Sequence, residues 1–209
     1  MTRTPFHILV VCTGNICRSP LTERLLRRRL DDRLGPGAQS IAVSSAGARG
    51  LDRSPMDLRA AEQLRRLGGD PEDFLARSLT EWHVNGADLV LTATRGHRAA
   101  VLSEAPAALH RTFTLLEFAD LAPYRPLDAV DQIDHGRDPL AGLVAEAAQR
   151  RGSATLQEYD VPDPYMQSAE RHREVADVIS TAVDRIVDGL VDAHGAGAAV
   201  ADANAGARQ

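Results

Sequence analysis

Residues 12 to 19 read Cys12-Thr13-Gly14-Asn15-Ile16-Cys17-Arg18-Ser19, a string whose residue types suit covalent chemistry on a phosphate ester. A cysteine thiolate is a nucleophile that can carry a covalent intermediate. Arg18, six positions on, offers a planar fork for two phosphate oxygens, and Gly14 permits the backbone turns of a tight anion-binding loop. Ser19 can donate a hydrogen bond to the thiolate and stabilise it as a leaving group. Spacing alone says little. All 24 basic residues of this 209-residue chain are arginine, so a cysteine often meets one by chance. The same string also fits a helix cap with a buried structural cysteine.

Position gives the string its meaning. Phe6 to Val11 is a short apolar, β-branched run that predicts a buried strand. Ser19-Pro20 then predicts a helix N-cap with proline at the first helical position. Leu21, Leu25, Leu26, Leu30 and Leu34 follow at helical spacing, up to Gly35-Pro36-Gly37. A loop between a strand and a helix N-terminus can turn successive N–H groups inward as an anion nest, and the helix dipole adds positive potential there. That field favours the thiolate of Cys12.

The same alternation continues. Strands are predicted at Ile41–Ser45, Ala87–Thr92 and Arg111–Thr114. Helices are predicted around Leu58, Ala61, Leu64 and Leu67, and around Arg98–Leu102. The fold class is therefore α/β, a parallel sheet covered by helices. The stretch 122–157 is rich in Pro, Asp and Gly, with only Leu140–Arg150 helical, and reads as an insertion or lid-like segment. Val175, Val178, Ile179, Ala182, Ile186 and Leu190 mark an amphipathic last helix. Residues 1–193 form one domain on this reading, and 194–209 an Ala/Gly-rich disordered tail.

Composition excludes several classes. A net charge of −5 argues against general nucleic-acid or anionic-membrane binding. The cluster Arg24, Arg27, Arg28, Arg29 and Arg33 reads as the solvated face of a helix. No apolar run is long enough to span a bilayer. The N-terminus has no secretory h-region, so a cytoplasmic location is expected. Two cysteines five positions apart make neither an extracellular disulfide framework nor a convincing zinc site, and no metal or cofactor is expected.

The full string from Val10 to Pro20 resembles the signature of the low-molecular-weight protein-tyrosine phosphatases. The likeness continues through Ser45-Ala46-Gly47, Pro55–Ala60, Ala76–Thr80 and Ala87–Leu91, and resumes at Val161-Pro162-Asp163-Pro164-Tyr165. The resemblance implies a four-stranded parallel sheet with helices on both faces and the loop after the first strand. It also implies two-step hydrolysis of a phosphotyrosine-type monoester through a cysteinyl-phosphate, with a phosphotyrosine-containing protein as substrate. On it Cys12 is the nucleophile, Arg18 binds phosphate and Ser19 assists the thiolate. Thr13, Gly14, Asn15, Ile16 and Cys17 complete the loop, and Ser45 supports it. The resemblance further suggests a reversible Cys12–Cys17 disulfide that guards the nucleophile; as a bare residue, Cys17 fits a small packing role equally well.

Ester cleavage needs an acid for the leaving group. Asp163 matches the family's general acid, with Tyr165 beside the substrate ring and Asp160 as a nearby alternative. Asp138-Pro139, the other Asp-Pro pair, reads as a helix start. No histidine sits beside the loop in sequence, and none is given a role. Some positions depart from the family pattern. Phe74 stands where many relatives have a histidine supporting the loop asparagine, which leaves that support in question. Met166 replaces a common second aromatic, and Ala93-Thr94 a common Met-Thr.

Competing readings are a small-thiol-coupled arsenate reductase on the same fold, a phosphoarginine phosphatase and a dead phosphate-binding module. Asp163 argues against the first. The resemblance associates isoleucine at position 16 with phosphotyrosine and threonine with phosphoarginine, so Ile16 argues against the second. The joint presence of Cys12, Arg18 and Asp163 argues against the third.

Overall fold

The computed structural model describes residues 4–122, 138–153 and 158–206. The chain runs β1 (Phe6–Cys12), α1 (Arg18–Leu34), β2 (Ile41–Gly47), α2 (Leu58–Arg66), α3 (Glu81–Asn85), β3 (Leu89–Thr92) and α4 (Arg95–Glu104). It ends with β4 (Thr112–Thr114), α5 (Leu115–Leu121), α6 (Pro139–Gln149) and α7 (Ala169–Gly206). The four strands form one parallel sheet in the order β2-β1-β3-β4.

Strand β1 is apolar apart from His7 because both of its faces are covered. Ile8, Val10 and Cys12 face a core shared with α1, α2, α5, α6 and α7, whereas Leu9 and Val11 face a smaller one with Val84, Val90 and Val101. The expected helices on both faces are thus present. β1 is central, and its C-terminal end lies where the strand order changes direction, the place where open α/β sheets bind ligands.

Several local expectations need correction. Helix α1 begins one residue earlier than Ser19, with Cys17 at the N-cap and no side-chain cap; the Ser19 hydroxyl is committed to the loop instead. The arginines of α1 are not simply solvated. Arg27 pairs with Glu23, Arg28 with Asp32, Arg29 with Asp184 and Arg33 with Asp188, so two of them stitch α1 to α7. Leu58 opens α2 on its exposed side, and Val178 is the outward member of α7.

Residues 194–206, expected to be disordered, continue α7 to Gly206. Alanine is the strongest helix former, and a run of it prolongs a helix already nucleated by packing. Within 122–157, helix α6 stands where it was predicted. Asp138 is its N-cap, accepting the Leu140 N–H at 3.0 Å, and Leu140, Leu143, Val144 and Ala147 are buried in the main core. This part of the insertion is packed structure rather than a lid; 123–137 and 154–157 lie outside the described residues.

Candidate active site

The loop from Cys12 to Ser19 is held from outside by its carbonyls. Cys12 O accepts from Ala48 N, Thr13 O from Arg49 N, Gly14 O from Leu51 N and Ile16 O from Asp57 N, all at 2.8–3.0 Å. In a trans peptide the next N–H points opposite the carbonyl. Carbonyls fixed outward therefore turn the N–H groups of residues 13, 14, 15 and 17 toward the inside of the turn, an anion nest at the N-terminus of α1. The close approach needs Gly47, since a Cβ there would sit 2.6 Å from Thr13 O and 3.0 Å from Asn15 N.

Asn15 is the keystone. It adopts φ 57°, a left-handed conformation that asparagine tolerates, and is fully buried. Its amide orientation is set at both ends. Oδ1 accepts from Arg77 N at 3.0 Å, while Nδ2 donates to Ser19 Oγ at 2.9 Å and to Ser45 Oγ at 2.8 Å. Both serine hydroxyls, having accepted, direct their protons onward. Ser45 donates to Glu23 Oε2 at 2.5 Å, and Ser19 Oγ lies 3.0 Å from Cys12 Sγ. Ser19 is thereby oriented to donate to the sulfur, which stabilises a thiolate. Glu23 anchors the far end, buried and ion-paired with Arg27 at 2.9 Å.

Asn15 thus draws its support from Ser19, Ser45 and Arg77, which answers the question raised at Phe74. Phe74 is buried in the core, with the Arg24 guanidinium 5.7 Å over its ring. Glu23 and Arg77 went unnoticed in the sequence. Nothing local marks a glutamate of a helix face, or one arginine among 24, as loop supports.

Arg18 is buried at the mouth of the loop. Nη1 donates to Val161 O at 3.2 Å, and Nη2 donates to Asp163 Oδ2 at 2.7 Å and to Thr13 Oγ1 at 3.4 Å. Its Nε is buried and meets no acceptor among the described residues. Asp163 is half exposed, and its Oδ1 accepts from Tyr165 N, an Asp-Pro turn that places Tyr165 and Met166 on the outer surface beside it. Asp160 is committed elsewhere, accepting from Arg95 N at 2.8 Å. Cys12, Arg18 and Asp163, 151 positions apart at the extremes, are thus brought to one loop, whereas Asp138 serves α6.

Both cysteines are free thiols and buried. Burial first, then the Asp57 carboxylate, push the Cys17 thiol well above its ordinary range, so Cys17 stays protonated beside its reactive neighbour.

The structure adds His97, which lies 84 positions from its loop partner and carries no mark in the sequence. Its Nε2 is 2.8 Å from Thr13 Oγ1 and its Nδ1 2.7 Å from Thr94 Oγ1. Burial, then the Arg18 charge, pull the imidazole from 6.5 down to about 4. Arg49 acts in the same sense, and Asp163 and Asp160 oppose it. Between those two values the unfolded chain binds more protons than the folded one, so stability rises with pH across the window. The contribution is complete above 6.5 and is lost as pH falls through about 4. Urea unfolding at about pH 7 and about pH 4.5 should show this slope, and His97→Gln should flatten it. A slope unchanged by the substitution contradicts a buried neutral ring.

A strand, a nest at a helix N-terminus, an oriented cysteine and an arginine fork define a phosphate-handling cysteine enzyme. The sequence model described as low molecular weight phosphotyrosine protein phosphatase matches residues 7–151. The chain belongs to the low-molecular-weight protein-tyrosine-phosphatase family. It is 38% identical over 146 residues to the low-molecular-weight protein-tyrosine-phosphatase Etp of Escherichia coli K12, covering 68% of this chain and 89% of that one. Among solved structures it is similar to the YwlE arginine phosphatase of Geobacillus stearothermophilus (27% identity, TM-score 0.65, 89% of this chain and 93% of that one). It is also similar to the tyrosine phosphatase Wzb of Escherichia coli K30 in complex with sulphate (26% identity, TM-score 0.64, 88% and 97%). The family match ends before Asp163, whose place in the site rests on its contact with Arg18.

Proposed function

We propose that the protein hydrolyses phosphotyrosine-type phosphomonoesters of protein substrates in two steps. The Cys12 thiolate attacks phosphorus, the ester P–O bond breaks, and Asp163 gives its proton to the departing phenolate. A water molecule then attacks the cysteinyl-phosphate, Asp163 takes the water's proton, and phosphate leaves with Cys12 again a thiolate. The loop N–H groups and Arg18 hold the three equatorial oxygens in both steps.

One observation carries the reading. Arg18, whose buried Nε has no partner among the described residues, lies between the loop of Cys12 and the Asp163 carboxylate. Phosphate bound in the loop supplies the acceptor that Arg18 lacks and competes with Asp163 for Nη2, releasing the carboxyl to the leaving group. Leu51, placed against Gly14, and the exposed Tyr165 give the entrance apolar surface suited to a phenyl ring.

Ile16, half-buried and packed against the core, supports phosphotyrosine over phosphoarginine, the specificity named for the Geobacillus relative. A cytoplasmic location fits this reading; no helix among the described residues is long and apolar enough to cross a membrane. A single domain and a redox role for Cys17 are part of the same proposal. The deciding test runs an aryl phosphate, a phosphotyrosyl peptide, a phosphoarginyl peptide and arsenate with a small thiol side by side. Turnover of the first two, with little of the others, is expected. Preferred turnover of phosphoarginine, or arsenate reduction without esterase activity, overturns the assignment.

A further inference from the structure

Thr13 and His97 form a contact that the two-step mechanism above does not use. Helix α4 begins with Thr94 as N-cap, its Oγ1 accepting the His97 backbone N–H at 3.2 Å. The same Oγ1 lies 2.7 Å from the His97 ring at Nδ1. A threonine hydroxyl has one proton and two lone pairs. With one lone pair committed to the cap, and no other acceptor for its proton among the described residues, Thr94 donates to Nδ1. A neutral imidazole has a single N–H, which this arrangement places on Nε2, directed at Thr13 Oγ1 2.8 Å away. Thr13 Oγ1 also receives Arg18 Nη2 at 3.4 Å. Both of its lone pairs are then engaged, and its own proton has no protein acceptor among the described residues.

We propose that Thr13 donates this remaining proton in a hydrogen bond to a phosphoryl oxygen of the bound phosphomonoester, and that His97 is the positioning residue that orients it. The inference rests on reading residues 12–19 as a phosphate site. Arg18 connects the two arrangements, since the guanidinium that touches Thr13 is the one that touches Asp163. The added donor lies beside Arg18 Nη2, the atom that also touches Asp163. His97 keeps the hydroxyl from turning its proton toward the protein, so the donor is in place before phosphate arrives and needs no reorganisation.

The reverse arrangement, with Nδ1–H donating to Thr94 and Thr13 donating to Nε2, spends the Thr13 proton and leaves nothing for the ligand. The two are separable by experiment. Binding of inorganic phosphate by the full chain is measured by calorimetry, and inhibition of turnover by vanadate is measured in parallel. Thr13→Val, which replaces the hydroxyl by a methyl, should weaken both by roughly tenfold or more, the scale of one hydrogen bond to a charged group; Thr13→Ser should restore them. His97→Ala should weaken them in the wild-type background and add nothing in the Thr13→Val background. His97→Gln, whose amide N–H can stand in for Nε2–H, should recover much of the loss.

A packing role gives a different pattern. Phosphate affinity unchanged within about twofold in Thr13→Val, or effects of Thr13→Val and His97→Ala that simply multiply, overturns the proposal. Phosphate binding that depends on Thr13 in a chain without aryl-phosphate turnover upholds this inference and overturns the phosphatase reading. Normal turnover with Thr13→Val affinity intact does the reverse, and a wild-type chain that binds no phosphate overturns both.

Discussion

Cys12→Ser is expected to lower aryl-phosphate turnover by roughly 10⁴-fold or more, the scale for losing a nucleophile that acts with its activating groups as a unit. Phosphate and vanadate should still bind, because the nest N–H groups and Arg18 remain and serine keeps a similar shape. Structure sharpens this expectation. Ser19 Oγ stands 3.0 Å from the sulfur with its proton directed there by Asn15, a geometry that stabilises a thiolate and does little for a neutral hydroxyl. Arg18→Lys should also lose most activity. A lysine keeps the charge but cannot at once reach Val161 O, Asp163 and two phosphate oxygens. Steady-state and inhibition kinetics check both, and substantial turnover by Cys12→Ser contradicts the assignment of the nucleophile.

The second large effect is at Asp163. Asp163→Asn should lower kcat by ~10²–10⁴-fold, as for a lost general acid. The phosphorylation step should suffer most with poor leaving groups such as a tyrosine phenolate, and least with activated phenolates that need little protonation. Overall turnover of activated esters also depends on the second step, in which the same carboxylate takes the proton of water, so single-turnover measurements isolate the first. The contact between Asp163 and Arg18 at 2.7 Å adds a second signature. The carboxylate competes with phosphate for Nη2, so the Asn variant should bind phosphate at least as tightly as wild type while turning substrate over far more slowly. Asp138→Asn should leave kinetics alone, since that carboxylate caps α6. Equal losses for good and poor leaving groups point instead to a positioning role, and a silent Asp163 overturns the assignment.

The catalytic loop was legible because its parts are contiguous. Strand, nest and helix start lie within fifteen residues, and their chemistry is carried by residue types that local geometry requires. Asp163 was legible through an Asp-Pro-Tyr string whose turn is also local. What escaped the sequence is long-range. Arg77 N reaches Asn15 across 62 positions and His97 reaches Thr13 across 84, pairings created by the parallel crossovers and marked by no spacing. Glu23 looked like one more charge on a polar helix; only the approach of Ser45 from β2 gives it a role. The cap assigned to Ser19 failed for a related reason, since the hydroxyl found a stronger use at the thiol than at the helix end. The tail failed on composition, because an alanine-rich stretch without periodicity reads as unpacked, yet α7 is already formed and simply propagates into it.

The most direct test of the central claim is to quench the enzyme in acid during turnover of an aryl phosphate, digest it, and locate phosphate by mass spectrometry. The account predicts a phosphorylated peptide containing Cys12, formed within the first turnover, with the phosphate on the Cys12 sulfur and not on Cys17. Asp163→Asn should make it accumulate with activated esters, as its hydrolysis slows. Turnover without any phosphate on Cys12, or with the label on another residue, would contradict the account.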